Sequence, residues 1–176
     1  MSDLENPDEI VKTYQVINQK EFAAYKNNSY RRYSHFNDHY DIDLALQPDS
    51  LSSRTKIRLL NAILRKVKEQ ADLNEIKLLV LIQPSARDVS TNNSPNYKDF
   101  TNYPGYRSER MSYLVSEICE KHNINYVNLF PRFSQPDSND LHFKSDPHWN
   151  DKGQAVAAQI TSENLSQWEI FNKGSK

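Results

Sequence analysis

Two short runs, the first almost continuously apolar and the second mostly so, each follow an amphipathic helical pattern and limit the folds open to this chain. The runs are IKLLVLI at 76–82 and INYVNLF at 124–130, and a proline follows each within two residues. Apolar runs of this length that stop at turn residues are typical of strands buried on both faces of a sheet. Because a helical pattern separates them, we expect the two strands to pair in parallel through a crossover connection.

Three helices are predicted around these strands. Apolar residues recur at helical spacing over 52–71, again over 111–119 and again from 154 to about 168. Ser52 or Ser53 can cap the first helix. The order helix, strand, helix, strand, loop, helix indicates an α/β fold. A sheet usually has about five strands. Since only two strands are predicted here, we expect this chain to hold only part of a sheet.

The first fifty residues are less regular than the rest. YQVINQKEF at 14–22 alternates enough to predict a short hairpin arm, and a non-periodic aromatic stretch follows it. We therefore divide the chain into an aromatic-rich excursion or arm at 1–50, an α/β unit at 51–170 and a tail at 171–176.

Composition argues against several classes of function. The 176 residues carry 22 Lys and Arg against 23 Asp and Glu, so nothing favours nucleic acid or an anionic membrane as a partner. The single cysteine, Cys119, can form neither an internal disulfide nor a cysteine-based zinc cluster. No apolar stretch approaches the about 20 residues that span a bilayer, and the acidic N-terminus does not resemble a signal peptide. These features do not determine the cellular compartment of the protein.

The segment SDPHWNDKGQAVAAQI at 145–160 concentrates the residues that can carry chemistry. It follows the second strand, and open parallel sheets bind ligands beyond the carboxyl ends of their strands. Asp146 can accept a hydrogen bond from the inner ring nitrogen of His148, which can then act as a general base. Trp149 can wall such a site.

Two other interpretations of this segment stay open. In one, Asp-Pro opens a turn, Trp149 anchors the next helix and His148 is an ordinary half-exposed residue. In the other, a metal ion is bound by His142, Asp146, His148 and Asp151. Because loops with scattered His and Asp are common, we expect no metal and no cofactor.

The start of the last helix carries two packing signals. Asn150 or Asp151 can supply the N-cap. Gly153 allows the helix to pack tightly on the sheet. Both signals would be present whether or not the preceding Asp-Pro-His-Trp segment is catalytic.

The block DLHFKSDPHWNDKGQAVAAQI resembles the last sequence block of the SGNH (GDSL-type) hydrolases. Its Asp-x-His-Trp-Asn form, with a Gly downstream, is also found in related acetyl-transferring proteins of polysaccharide modification. IKLLVLIQPSARDV and INYVNLFPRF are similar to the family's last two core strands, so the resemblance covers roughly 55–165. The common family spacing is Asp-x-x-His, and this chain departs from it. The resemblance implies a three-layer α/β/α, flavodoxin-like parallel sheet, incomplete at its N-terminal side.

The resemblance also implies an activity. In this family a His activates a serine, an Asp orients the His, and an oxyanion hole forms from two backbone amides and an Asn side chain. The chain would then belong to an esterase or O-acyl transferase acting on a small ester or an acylated carbohydrate. His148 would be the general base, Asp146 its orienting carboxylate, and Trp149 a substrate contact.

The family's nucleophile is not matched in this chain. Neither Gly-Asp-Ser nor Gly-x-Asn-Asp occurs in it. QPDSLSSR at 47–54 copies three letters of the first block, but Pro48 replaces the Gly, so Ser50 is disfavoured as nucleophile. Ser85, at a strand exit, is disfavoured too. We expect the nucleophile to lie upstream, in a missing segment or another polypeptide, and this chain alone to be inactive.

An inactive remnant is the competing hypothesis. The aromatic-rich regions 14–40 and 97–106 suit stacking on sugars, so the chain could be a carbohydrate- or protein-binding module. Half a sheet would also expose an apolar strand edge. That exposure predicts either self-association or a complementing N-terminal chain.

Overall fold

The computed structural model describes residues 8–10, 12, 16, 19, 44–45, 48–90, 105–144 and 146–168. Its main elements are α1 Leu51–Leu73, β1 Leu79–Ile82, α2 Ala86–Val89, α3 Arg110–Lys121, β2 Asn125–Asn128, α4 Phe130–Phe133, a 3₁₀ helix Ser138–Leu141, β3 His142–Phe143, β4 Asp146–Trp149 and α5 Asp151–Gln167. The tail at 171–176, most of the arm at 1–50 and most of the aromatic-rich region 97–106 lie outside the described residues. Within the predicted hairpin the described residues, Val16 and Gln19, are helical, so the hairpin is wrong at those two positions.

The N-cap of the first helix, α1, lies two or three residues before its predicted positions, Ser52 and Ser53. Ser50 is the N-cap, and its Oγ accepts a hydrogen bond from the backbone N–H of Ser53 at 3.1 Å. Ser53 is itself fully buried. The helix ends where Glu75 adopts a left-handed backbone, at φ 55°, and the N–H of Ile76 donates to the carbonyl of Ala71. This turn feeds the chain into β1.

The two predicted strands pair in parallel, as expected. Leu79 lies opposite Asn125 and Ile82 opposite Asn128. The side chain of Asn128 donates to Ser116 Oγ of α3 at 3.0 Å, whereas Val127 packs in one core cluster with Ala157 of α5. Since neighbouring side chains in a strand point to opposite faces, the sheet carries a helix on each face. The predicted α/β order is confirmed.

One expectation about β1 is wrong. The strand was predicted to be buried on both faces, yet Leu81 is 45% exposed. In the part of the chain that the structure describes, β1 pairs with β2 alone, so its other edge is open. Parallel strands are ordinarily covered on both sides. β1 therefore presents apolar surface to solvent.

The core has two parts, one against a face of the sheet and one beyond the carboxyl ends of its strands. Its fully buried centre includes Phe133, Leu129 and Leu141, and the side chains of Trp149 and Val156 pack against it. The segment between β2 and α5, predicted as a loop, folds over this core as α4, the 3₁₀ helix and the β3–β4 ribbon. No helix among the described residues is long and apolar enough to cross a membrane.

Candidate active site

The candidate residues lie on a two-stranded antiparallel ribbon. β3 and β4 pair with His142 opposite Trp149 and Phe143 opposite Asp146, with an irregularity between the two pairs. Side chains alternate along a strand, so Asp146 and His148 share one face of β4 while Trp149 lies on the other. Asp-Pro-His-Trp is thus a strand rather than the turn that Asp-Pro suggested.

The ribbon lies where both parallel strands end. α2, which follows β1, contacts β4 directly. The Ser138 hydroxyl donates to the carbonyl of Val89, and the Ser90 hydroxyl donates to Asn139 Oδ1 at 2.9 Å. These bonds tie the exit of β1 to the 3₁₀ helix that leads into the ribbon. The site is therefore at the sheet edge where α/β folds bind ligands.

Asp146 and His148 are joined by two hydrogen bonds. Oδ1 of Asp146 accepts a hydrogen bond from the backbone N–H of His148 at 2.8 Å, and the same oxygen contacts Nδ1 of the His148 ring. One carboxylate oxygen therefore holds both the backbone and the ring of the residue two positions on. The side chains are 51% and 80% exposed respectively.

The protonation of the pair follows from these bonds. The hydrogen bond from the backbone N–H of His148, together with that from its ring, holds the pKa of the Asp146 carboxyl below its ordinary value. The ionised carboxylate can only accept, so Nδ1 must carry the ring proton of a neutral imidazole. Nε2 then holds the lone pair. It points away from the carboxylate, and among the described residues no hydroxyl hydrogen-bonds to it.

Trp149 anchors the ribbon from its inner face. Its ring lies 4.9 Å, centroid to centroid, from that of Phe133, which also meets the His142 ring edge-on. Trp149 Nε1 and His142 Nε2 are buried without a hydrogen-bond partner among the described residues. The contacts of Trp149 in the structure are with the core. The role of Trp149 as a substrate contact stays a prediction.

Asn150 is the predicted cap of α5, and it does more than cap. Its Oδ1 accepts from the backbone N–H of Gly153 at 3.0 Å. Its Nδ2 donates to the carbonyls of Asp140 at 2.8 Å and His142 at 3.0 Å. Sequence reasoning found the cap and missed the two other bonds, because both depend on the fold of the preceding segment.

Gly153 permits the tight packing that was predicted for it. A Cβ on Gly153 would overlap the carbonyl oxygen of Leu141 and lie 3.1 Å from Cβ of Trp149. Only a residue without a side chain lets α5 start this close to the ribbon.

The structure places the other candidate residues elsewhere. The Ser50 hydroxyl caps α1 and donates to Ser53 Oγ at 2.9 Å, while the Ser85 carbonyl accepts from the N–H of Asp88 in the turn that opens α2. His142, part of the metal alternative, is 3% exposed, and its Nδ1 donates to the carbonyl of Ser138 at 3.1 Å. In the described ranges no three His, Cys, Asp or Glu residues are grouped to hold a metal ion.

A separate cleft of about 410 Å³ lies along β2 and the end of α5. Its lining includes Asn125, Tyr126, Asn164 and Trp168, and it contains neither member of the Asp146–His148 pair. The Tyr126 hydroxyl donates to Glu120 at 2.5 Å. The pair stands on open surface instead.

The parallel strands, the helices on both faces and a histidine–carboxylate pair at the carboxyl edge fit an SGNH-hydrolase-like α/β protein. Residues 41–175 match the family described as the SGNH hydrolase-like domain of the acetyltransferase AlgX. The chain belongs to this family, and the expected fold class is confirmed. No curated protein and no solved structure matches the chain.

Proposed function

We propose that this chain supplies the base half of an O-acyl transferase or esterase site of the serine type. His148 Nε2 takes the proton of an attacking hydroxyl and later returns it to the leaving group. Asp146 holds the ring so that Nδ1 carries the proton and Nε2 the lone pair. The ionised carboxylate also stabilises the imidazolium that forms during transfer.

The observation that carries this proposal is the double hydrogen bond between Asp146 and His148. A surface Asp and His chosen at random need not meet, and here one oxygen fixes both the ring and its backbone. Membership of a family described by an acetyltransferase supports transfer of a small acyl group. An acylated carbohydrate is the acceptor or donor class that we favour.

The nucleophile, on this proposal, is not one of the serines that the structure describes. Ser50 is committed to the cap of α1, and within the described residues no hydroxyl bonds to His148 Nε2. On this proposal the attacking hydroxyl and the oxyanion donors come from outside these 176 residues, in a further segment or in another polypeptide. The pair is then one side of a composite site.

The open edge of β1 supports the same composite arrangement. Leu81 is exposed on a strand that carries only one hydrogen-bonded neighbour in the described part of the chain. A further parallel strand would pair with the edge of β1 that has no described strand beside it, and would cover Leu81. We propose that the polypeptide that provides this strand also provides the nucleophile.

The test uses the producing organism, so that any accompanying segment is present. His148→Ala is placed in the chromosomal copy, and the acetate that mild alkali releases from cell-surface polysaccharide is measured. Loss of a general base removes about 10²- to 10⁴-fold in rate, so acetate falls to background. Asp146→Asn gives a strong but smaller loss, because the base remains without its orienting partner.

The matched control is His122→Ala. His122 is another described histidine; it is the C-cap of α3 and its ring is bonded to Asn61 Oδ1 of α1 at 3.0 Å. It should leave acetate release unchanged while the chain accumulates normally. Unchanged acetate release in His148→Ala, with the chain present at normal levels, would overturn the proposal.

The location of the nucleophile has its own assay. The purified 176-residue chain is given a short-chain aryl acetate, and we expect no turnover above background. Robust turnover that Ser50→Ala abolishes would place the nucleophile at Ser50 and contradict the composite site.

A further inference from the structure

The strands that present the Asp146–His148 pair are too short to hold themselves in place. β3 has two residues, and its pairing with β4 is irregular. Pro147, between the two members of the pair, has no N–H to donate to a neighbouring strand. An isolated two-stranded ribbon is marginally stable at best. The position of the pair therefore depends on what fixes the end of β4.

Asn150, directly after β4, fixes that end through its backbone N–H and both polar groups of its side chain. Its backbone N–H donates to the carbonyl of Leu141 at 3.1 Å. Its two Nδ2 protons go to the carbonyls of Asp140 and His142, and its Oδ1 accepts from Gly153. One residue thus joins β4, α5 and the segment that enters β3.

A helix cap alone does not require these bonds. Capping uses only an oxygen acceptor, and Ser, Thr or Asp serve as well as Asn. The bonds to Asp140 and His142 need two N–H donors on the same side chain that carries the acceptor, which a carboxamide supplies. His142 is the cross-strand partner of Trp149, so the second bond acts one residue from His148.

We propose that Asn150 is a positioning residue for the Asp146–His148 pair, and that its carboxamide clamps the end of β4 so that carboxylate and imidazole stay in hydrogen-bonding reach. The catalytic meaning of this role rests on the proposed function. The structural part of the proposal is independent of that function, because the hydrogen bonds of the pair can be measured without any reaction.

The test is Asn150→Ser in the 176-residue chain, studied by NMR. Serine keeps the cap of α5 and removes both Nδ2 bonds. We expect the His148 amide, which donates to Asp146, to exchange with solvent about tenfold faster, because opening of the ribbon becomes easier. We also expect the pKa of the Asp146 carboxyl to rise toward its ordinary value, since both hydrogen bonds that lower it weaken.

Ser50→Ala is the matched control, because it removes the cap of α1 and leaves the ribbon intact. It should change neither measurement. The proposal fails if folded Asn150→Ser shows both measurements unchanged, or if Ser50→Ala shifts them equally. Should Asn150→Ser not fold, Asn150→Asp retains the cap with a favourable helix-dipole interaction, and amide exchange of His148 then decides by the same two outcomes.

The outcomes separate this proposal from the proposed function. Faster His148 exchange in Asn150→Ser, together with unchanged acetate release in His148→Ala cells, supports the clamp and rejects the acyl-transfer role. Unchanged exchange together with lost acetate release does the reverse.

Discussion

Asp146 accepts two hydrogen bonds from a single residue, His148, one from its backbone N–H at 2.8 Å and one from its ring Nδ1. The bond to the backbone N–H fixes the position of the His148 main chain, and the bond to Nδ1 fixes the orientation of its ring. The contact is local, since it spans three residues, but the strand that carries it is short. On our proposal the Asn150 bonds to the carbonyls of Asp140 and His142 keep the two side chains within reach.

The pair should make stability depend on acidity. Since the folded-state pKa of Asp146 is lowered from 3.8, its contribution is fully present above that value and is lost as pH falls through the lower folded value. The difference in unfolding free energy between the chain and Asp146→Asn should therefore be constant above pH 3.8 and shrink below it. Urea titrations at a series of pH values measure this. A difference that stays constant down to pH 2 would contradict it.

Gly153→Ala should destabilise the chain by about 1–3 kcal/mol, because the new methyl group would overlap the Leu141 carbonyl. Alanine is the better helix former, so the sign of the change tests the close contact itself. Gly105→Ala is the matched control, since no described residue has an atom within 4 Å of a Cβ there. Urea denaturation should show Gly105→Ala within about 1 kcal/mol of the original chain. Equal effects of the two variants would count against the contact.

Trp149→Ala should cost about 3 kcal/mol or more, since it removes the ring that packs on Phe133. Trp149→Phe should cost much less. It keeps an aromatic ring against Phe133 and deletes a buried N–H that has no partner among the described residues. Chemical denaturation followed by circular dichroism measures both. A Phe variant as unstable as the Ala variant would show that Nε1 has a partner outside those residues.

The open edge of β1 predicts association. The purified chain should sediment as more than a monomer, and Leu81→Gln should shift it toward monomer by reducing the apolar surface of that edge. Leu51→Gln is the control, because Leu51 is 59% exposed but begins α1 rather than lying on the strand. Analytical ultracentrifugation distinguishes the two. A monodisperse, cooperatively melting parent chain would refute this.

The helices and the parallel pairing were predictable because their signals are local. Regular apolar spacing marked α1, α3 and α5, and apolar runs separated by a helix marked β1 and β2. The strand ends were not predictable from hydrophobicity. Asn128 Oδ1 accepts the N–H of Phe130 at 2.9 Å and turns the chain into α4, so β2 stops inside an apolar run. Ile76, predicted in β1, belongs to the turn after α1 and is exposed.

The ribbon was missed although its sequence carries a signal. In Asp-Pro-His-Trp the polar and apolar residues alternate with the period of a strand, and the structure turns the first set outward and Trp149 inward. A partner strand of two residues leaves no pattern to recognise. The Asp146–His148 contact was predictable because it spans three residues. The Asn150 bonds were not, because they reach back 8 and 10 residues to backbone carbonyls.

The exposure of the His148 ring has a consequence for timing. Water surrounds most of this side chain, which is 80% exposed, and each water that solvates Nε2 competes with a hydroxyl for the same lone pair. A surface that delivered the hydroxyl would displace those waters on arrival. On the proposed function, docking of that surface and dehydration of the base would then be a single event, which would protect an acyl donor from premature hydrolysis.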